Sequence, residues 1–178
     1  MPHPRLHASS APEKPAVIVA ETGEILSYGD LERAANKGAH LLRRLGLQSG
    51  DTIALWLPNL PAYFTLYWAA QRAGLYIAPV ATALTAEEAA YILSDSGAKL
   101  LVTHQAVKSA AELLSGHLPP SVAHVYQAGP GLDGIADWNT AIAAEPDTPI
   151  PDEAPGFHMV YSSGTTGRPK GIRQPLAT

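Results

Sequence analysis

Short apolar runs alternate along this chain with longer segments in which apolar residues recur every three to four positions. Fully apolar runs are typical of strands covered on both faces, and the three-to-four spacing is typical of amphipathic helices. The strands are predicted at 52–57, 75–80, 99–103, 122–126 and 157–161, and the helices at 31–45, 61–72, 85–94, 105–114 and 137–144. Residues 16–20 and 24–28 predict a hairpin around Thr22 and Gly23. This alternation predicts an α/β fold, a mostly parallel sheet with helices on both faces.

Composition divides the chain into four segments. Residues 1–15 hold four prolines and are predicted to be an extended N-terminal arm without regular structure. Residues 16–145 are predicted to form the α/β subdomain. Residues 146–156 hold four prolines among acidic residues and predict an exposed connection. Residues 157–178 are predicted to be a strand followed by a loop with functional chemistry.

Overall composition narrows the classes of function. The 178 residues are 46% apolar, which is enough for a core, and the absence of cysteine excludes disulfides and thiolate metal sites. The seven histidines occur at no common metal-ligand spacing, which disfavours a histidine metal site. With a net charge of −4 and no basic cluster among aromatics, no nucleic-acid partner is expected. No apolar run is long enough for a signal peptide or a membrane span, so we expect a cytoplasmic protein.

The segment from Tyr161 to Gly171 has the composition of a phosphate-binding loop. Its three glycines allow backbone amides to approach an anion closely, and its hydroxyls are donors that can join them. Lys170 supplies a positive charge, and Pro169 restricts the backbone just before it. The glycines are Gly164, Gly167 and Gly171, and the hydroxyl residues are Ser162, Ser163, Thr165 and Thr166.

Three other kinds of loop share parts of this composition: a Walker A loop, the nucleophile motif of serine hydrolases and a solvated turn. A Walker A loop is excluded because Pro169 stands where that motif needs its second glycine, and no Gly-x-Ser-x-Gly motif of serine hydrolases is present. A plain solvated turn is the general alternative. Against it, the segment follows an apolar run, and no acidic residue occurs after Glu153 whereas Arg168, Lys170 and Arg173 do. An anionic ligand is therefore expected.

Three further groups of residues carry a functional and a structural interpretation, and the structural one is preferred for each. The basic residues of the first long helix could bind an anion but are expected to face solvent. The aromatics of the second could line an acyl pocket but are expected to pack in the core. His158 could be catalytic but is expected to be a packed neutral histidine. The basic set is Arg33, Lys37, His40 and Arg44, and the aromatic set is Tyr63, Phe64, Tyr67 and Trp68.

The loop from Ser162 to Gly171 resembles the phosphate-binding signature of the adenylate-forming superfamily, which includes acyl-CoA synthetases, luciferases and peptide-synthetase adenylation domains. Segments 26–31, 50–55 and 73–80 resemble early core segments of the same family, in the same order. The resemblance implies part of the large N-terminal domain of an AMP-forming acyl-CoA synthetase. Such an enzyme activates a carboxylic acid, here expected to be a fatty acid, as an acyl-adenylate and transfers the acyl group to coenzyme A.

The resemblance also implies the ligands and the site. ATP, Mg²⁺ and coenzyme A would be bound together with a small-molecule carboxylic acid, and the loop would hold the β- and γ-phosphates of ATP. Lys170 is the expected catalytic residue. The expected nucleotide-binding residues are Ser162, Ser163, Gly164, Thr165, Thr166, Gly167, Arg168, Pro169, Lys170 and Gly171.

The sequence departs from the family pattern at its C-terminal end. It stops at Thr178, before the family's later adenine-, ribose- and magnesium-binding segments, so the chain alone is expected to need the remainder for activity. The alternative is a catalytically incomplete binding or interaction module. Residues 172–176 lack a histidine that many members carry, which leaves the substrate subclass open, and Pro175 is expected to end the strand there.

Overall fold

A computed structural model describes residues 3–162 and 168–176. Its main sheet has six parallel strands in the order β7-β6-β5-β3-β4-β8. The strands of this sheet are β3 (Thr52–Trp56), β4 (Tyr76–Pro79), β5 (Ala98–Thr103), β6 (His124–Gln127), β7 (Ala136–Asp137) and β8 (Phe157–His158). Two hairpins lie outside it, β1 (Pro15–Ile18) with β2 (Ile25–Ser27) and β9 (Val160–Ser162) with β10 (Lys170–Ile172). The helices are α1 (Pro4–Ser10), α2 (Tyr28–Arg44), α3 (Pro61–Arg72), α4 (Ala86–Ser96), α5 (Ala110–Glu112) and α6 (Trp138–Ile142).

Helices cover both faces of the sheet, which confirms the predicted α/β fold. Every residue of β3 is buried, and successive side chains point to opposite faces. Ile53 and Leu55 pack in a core cluster with residues of α2, α3 and α6. Ala54 and Trp56 pack in a second cluster with residues of α4 and α5. Strands buried on both faces explain why the sequence shows continuous apolar runs.

The N-terminal arm was predicted wrongly as extended, because residues 4–10 form α1. Its prolines do not prevent a helix, since Pro4 is the first helical residue, a position at which proline has no intrahelical bond to lose. The side chain of His3 caps the helix by accepting from the Arg5 amide. Arg5 then joins Glu153 at 2.6 and 2.7 Å and Glu32 at 3.5 Å. The arm is therefore a structured part of the fold.

The helix predicted at 105–114 was also wrong over most of its length. Only Ala110–Glu112 is α-helical, and a π-helical turn follows at Leu113–His117. Before it, His104 accepts from the amide of Val107, which lies three residues on, and its side chain accepts from the Ala106 amide. These bonds fold the segment into turns. The apolar residues recur at helical spacing because they pack on the sheet, with Val107, Ala110 and Leu113 all buried.

The basic residues of α2 were expected to face solvent, but three of them bind residues 143–148. Lys37 donates to the carbonyl of Ala143 at 2.8 Å, and His40 lies 2.9 Å from the carbonyl of Thr148. Arg44 pairs with Glu145 at 2.6 Å. The helix thus holds the segment that enters the connection 146–156. That connection is largely exposed, as predicted, but Ile150 is buried in the core.

A buried polar network joins the first three helices. Arg72 of α3 is fully buried and binds both carboxylate oxygens of Glu32 on α2. The same guanidinium donates to Asn36 at 2.6 Å and lies 3.8 Å from Glu153. Buried charges need such partners because the protein interior solvates them poorly. The aromatics of α3 are only partly in the core, since Tyr63 and Tyr67 pack against it and Phe64 is exposed.

The last predicted strand, 157–161, is divided in the structure. Phe157 and His158 pair with β4, and the Met159 amide still donates to Ile77 at 2.7 Å. From Val160 the chain leaves the sheet to form β9. His158 is exposed and stacks on Phe157 at 4.5 Å, so the packed histidine that was expected is not found. Among the helices of the described ranges, none is both long and apolar enough to cross a membrane.

Candidate functional site

The predicted phosphate loop joins the two strands of the hairpin β9–β10. Ser162 lies opposite Lys170, Tyr161 opposite Gly171 and Val160 opposite Ile172. The hairpin follows β8 directly, at the edge of the sheet where β8 pairs with β4. Ligands of open parallel sheets bind beyond the carboxyl ends of the strands. The chain therefore enters the loop at the type of position expected for a ligand site.

Only half of the predicted nucleotide-binding residues can be placed. Ser162, Arg168, Pro169, Lys170 and Gly171 are on or next to the hairpin strands. The remaining five lie outside the described residues, and the prediction for them stands as a prediction. These are Ser163, Gly164, Thr165, Thr166 and Gly167.

Ser162 and Lys170 share one face of the hairpin. Directly opposed residues of an antiparallel pair project to the same side, and both of these residues are exposed. Tyr161 and Gly171, one position along each strand, project to the other side, where Tyr161 reaches α4. A hydroxyl and an ammonium group on one exposed face can meet an anion from the same direction.

Tyr161 connects the incoming strand of the hairpin to α4. Its hydroxyl donates to the Asp95 carboxylate at 2.7 Å and lies 3.4 Å from the carbonyl of Ile92. Burial, followed by the hydrogen bond to Asp95, raises the pKa of the Tyr161 phenol well above its usual value. The phenol therefore keeps its proton and remains a donor at neutral pH.

Gly171 has a packing role in the structure, and its predicted part in nucleotide binding stays a prediction. A Cβ atom at this position would collide with the methyl group of Met159 and would lie 3.0 and 3.1 Å from Cζ and the hydroxyl of Tyr161. The missing side chain leaves the space in which the Tyr161 ring crosses β10 toward α4. In the described structure the glycine thus allows close packing of β10 against Met159 and Tyr161.

The outgoing strand of the hairpin also rests on α4. The Tyr91 hydroxyl donates to the carbonyl of Pro169 at 3.0 Å. The guanidinium carbon of Arg168 lies 5.1 Å from the centre of the Tyr91 ring, within the range of a cation–π contact. Tyr91 thus contacts the two residues that immediately precede Lys170.

Arg173 lies away from the loop. It donates to the carbonyl of Gly50 at 2.6 Å and stacks 4.0 Å from the centre of the Tyr76 ring. Gly50 precedes β3 and Tyr76 begins β4, so this arginine lies at the amino ends of the strands. Of the three cations that follow Glu153, Arg173 is thus held by Gly50 and Tyr76.

Two open clefts are candidates for a ligand, and the first of them adjoins the hairpin. One, of about 450 Å³, lies between α4 and Arg168, but Glu87 and Glu88 line it and would repel phosphate. The other, of about 550 Å³, lies at the carboxyl ends of β3 and β4 and is lined mainly by apolar groups. Its size and position suit the apolar part of a small ligand. It is lined by Leu57, Pro58, Asn59, Tyr63, Pro79, Val80, Ala81 and Thr82.

The described residues contain no set of side chains that would hold Mg²⁺ without help from a substrate. Within ranges 3–162 and 168–176, no three His, Asp or Glu side chains are placed to hold a metal ion together. Magnesium sites generally use carboxylates together with substrate phosphates. The roles assigned to residues of this chain therefore do not involve Mg²⁺.

Sequence reasoning missed two residues that hold the hairpin, Tyr91 and Asp95. They stand four positions apart on α4, a spacing that places side chains on one face of a helix. This spacing was visible in the sequence. Pro169, the partner of Tyr91, follows it by 78 positions, and Tyr161, the partner of Asp95, follows it by 66. No local pattern links such distant residues.

Comparisons with known proteins point to one family. The family model described as AMP-binding enzyme matches residues 5–174. The long-chain-fatty-acid–CoA ligase FadD13 of Mycobacterium tuberculosis is 29% identical over 169 residues, which cover 94% of this chain and 33% of that relative. The crotonobetaine/carnitine–CoA ligase of Salmonella arizonae is 32% identical over 172 residues, covering 90% and 33%.

Solved structures give the same result. The anthranilate CoA ligase AuaEII, in complex with anthranoyl-AMP, aligns with a TM-score of 0.82 and 26% identity over 95% of this chain and 33% of that one. The Mycobacterium tuberculosis fatty acyl CoA synthetase aligns with a TM-score of 0.77 and 25% identity over 96% and 33%. The chain thus spans about a third of the length of these relatives.

Proposed function

Because this chain belongs to the AMP-binding enzyme family, we propose that it forms the N-terminal part of an ATP-dependent, AMP-forming acyl-CoA synthetase. The complete enzyme would activate a carboxylic acid as its acyl-adenylate, release pyrophosphate and transfer the acyl group to coenzyme A. We propose a fatty acid as substrate, because the relative FadD13 is a long-chain-fatty-acid–CoA ligase. Crotonobetaine/carnitine and anthranilate ligases are also relatives, so the experiment must supply other carboxylic acids in addition to fatty acids.

One observation carries this proposal: Ser162 and Lys170 lie opposite each other on an exposed face of the hairpin, which directly follows the edge strand β8 of the parallel sheet. Their hydroxyl and ammonium groups are suited to donate hydrogen bonds to the β- and γ-phosphates of ATP. When the bond to the α-phosphate breaks, negative charge grows on the departing pyrophosphate. Donors that are already in position stabilise this charge without reorganisation during the step. Lys170 would add the largest single contribution from the described residues.

The proposed role of Lys170 separates the two half-reactions. Pyrophosphate is present only during adenylation, so Lys170→Ala should slow that step about 10- to 150-fold, as expected for a charged hydrogen bond of about 1.5–3 kcal/mol. Transfer from a supplied acyl-adenylate to coenzyme A involves neither the β- nor the γ-phosphate. Its rate should change less than about threefold.

The experiment measures ATP–pyrophosphate exchange and acyl transfer separately, in the complete protein that carries this chain. Fatty and aromatic acids are supplied in turn as substrates. Lys99→Ala is the matched control, because Lys99 pairs with Asp51 on the surface and contributes no group to the hairpin. Equal losses in both half-reactions would give Lys170 a structural role. No exchange by the wild type with any acid would contradict the synthetase and favour a binding module.

A further inference from the structure

Helix α4 contacts both arms of the hairpin through one of its faces. Asp95 accepts from Tyr161 on the incoming arm, and Tyr91 donates to the carbonyl of Pro169 on the outgoing arm. Tyr91 and Asp95 are one helical turn apart, so their side chains lie above one another. A single rigid element therefore contacts both arms close to Ser162 and Lys170.

The contacted residues adjoin the proposed phosphate ligands. Tyr161 immediately precedes Ser162, and Pro169 immediately precedes Lys170. Ser162 and Lys170 are themselves opposite each other in the hairpin. A displacement of either arm on α4 would consequently move one of these two groups relative to the other. Displacements of about 1 Å in such groups are costly for reaction rates.

Apolar burial supports the hairpin only partly at the cross-strand pair farthest from the loop. Val160 and Ile172 form a cross-strand pair, yet they are 46% and 53% exposed. Burial energy scales with the apolar area removed from water, so this half-exposed pair contributes about half of what a core pair would. The hydrogen bonds to α4 thus act beside the contacts of Arg173 and Gln174 with Gly50 and Tyr76, which anchor the chain just after β10.

We propose that Tyr91 and Asp95 are positioning residues for the phosphate-binding hairpin. They touch no substrate, and they act by holding the arms that carry Ser162 and Lys170. Gly171 belongs to the same arrangement, because its missing side chain admits the Tyr161 ring that reaches Asp95. The role in catalysis rests on the proposed function, whereas the mechanical role of the two residues does not.

The mechanical role is tested by amide hydrogen exchange in the complete protein. Tyr91→Phe removes the hydroxyl but keeps the ring under Arg168, and Asp95→Ala removes the acceptor for Tyr161. Each variant should speed exchange at Arg168, Lys170 and Gly171 about two- to tenfold while β3 and β5 keep their protection. This range follows from the usual net strength of one hydrogen bond. Unchanged exchange in both variants would overturn the proposal.

Two controls separate a tether from a general loss of stability. Asp95→Asn keeps an oxygen acceptor and should restore most of the wild-type protection. Asp95 also lies in the last turn of α4, where a negative charge is unfavourable, so its removal alone should stabilise the helix slightly. Faster exchange at the hairpin in Asp95→Ala would then come from the lost hydrogen bond and not from a less stable α4. Tyr126→Phe removes a phenol hydroxyl on β6, near the opposite edge of the sheet, and should leave the hairpin unchanged.

The catalytic consequence is measured as a split between the kinetic steps. Tyr91→Phe and Asp95→Ala should raise KM for ATP in pyrophosphate exchange about two- to tenfold, and transfer from a supplied acyl-adenylate to coenzyme A should be unchanged. An active wild type whose variants keep their KM would contradict the positioning role. A wild type without any exchange would contradict the proposed function instead, and the amide-exchange result would still decide whether α4 holds the hairpin.

Discussion

Strand β3 and the hairpin β9–β10 belong to one fold but are stabilised in different ways. All five residues of β3 are buried, and the strand has a parallel neighbour on each side. The hairpin pairs only with itself, and it is joined to α4 by the polar contacts of Tyr91 and Tyr161. Burial holds β3 wherever an apolar side chain of suitable volume is present, whereas the hairpin depends on particular atoms.

This difference teaches where stability and function are separable. A change in the core should lower the free energy of unfolding of the whole domain. A change in the contacts of the hairpin should leave that free energy nearly unchanged and alter local opening instead. Regions that bind ligands commonly have such low local stability.

The largest effect is expected where the core itself depends on particular atoms. Arg72→Met would leave the carboxylate of Glu32 partly buried without its main partner. Breaking a buried ion pair in this way costs about 3–5 kcal/mol. Urea denaturation should show this loss, and amide exchange should rise across α2 and α3 together.

Arg33→Met is the matched control for that variant. Arg33 pairs with Asp30 on the same helix, but both side chains are more than half exposed. Such a surface pair contributes about 1 kcal/mol or less. A loss of similar size in the two variants would show that burial of Arg72 has no special importance, and the contrast between core and surface would fail.

A smaller effect is expected from crowding between α2 and α3. A Cβ atom at Gly38 would lie 2.7 Å from Cβ of Ala69 and 3.2 Å from the Trp138 ring. Gly38→Val should therefore cost about 1–3 kcal/mol of unfolding free energy, because neither helix can move without disturbing the core. Gly116→Val is the control, since a Cβ atom there would meet nothing within 4 Å. If both variants unfold at the same urea concentration, α2 and α3 are not closely packed at this point.

The same contrast explains which features the sequence could predict. Helix α3 was predicted at 61–72, its actual bounds, because Pro61 and Gly74 mark its ends locally. The sheet was predictable because burial on both faces leaves continuous apolar runs. Helix α1 was missed because the prolines were interpreted as breakers, although Pro4 occupies a position that favours helix initiation.

The site was predictable as a segment but not as an arrangement. Hydroxyls, glycines and Lys170 in one stretch indicated phosphate chemistry from composition alone. The pairing of Ser162 with Lys170 depends on where the chain turns, and the anchoring of Arg173 depends on Tyr76, nearly a hundred residues earlier. Contacts between such distant residues are set by tertiary structure, which no local periodicity encodes.

The smallest effect is expected from acid. Burial by itself would raise the pKa of Glu32, but the hydrogen bonds and charge of Arg72, with a further contribution from Arg5, outweigh it and lower that pKa below its ordinary 4.5. Because the folded-state pKa is depressed, Glu32 stabilises the fold above pH 4.5, and this stability is lost as pH falls through the folded value. The stability difference between wild type and Glu32→Gln should therefore shrink as pH falls below 4.5.

The neighbouring His3 and Glu153 must be separated from this effect. Burial, with the charge of Arg72, lowers the pKa of His3 below 6.5, so its own contribution is lost between pH 6.5 and the lower folded value. His3→Asn should remove that upper part and leave the Glu32 part, since asparagine can also cap α1. Glu153, which pairs with Arg5, is tested by Glu153→Gln in the same titration. The acid effect should be smaller than that of Arg72→Met, because protonated Glu32 keeps an oxygen that can accept from Arg72, and Asn36 still accepts from the same guanidinium. The Tyr91–Pro169 hydrogen bond contains no carboxylate and should persist below pH 4.5. Parallel loss of protection at Lys170 and in α2 would show that hairpin and core open as one unit.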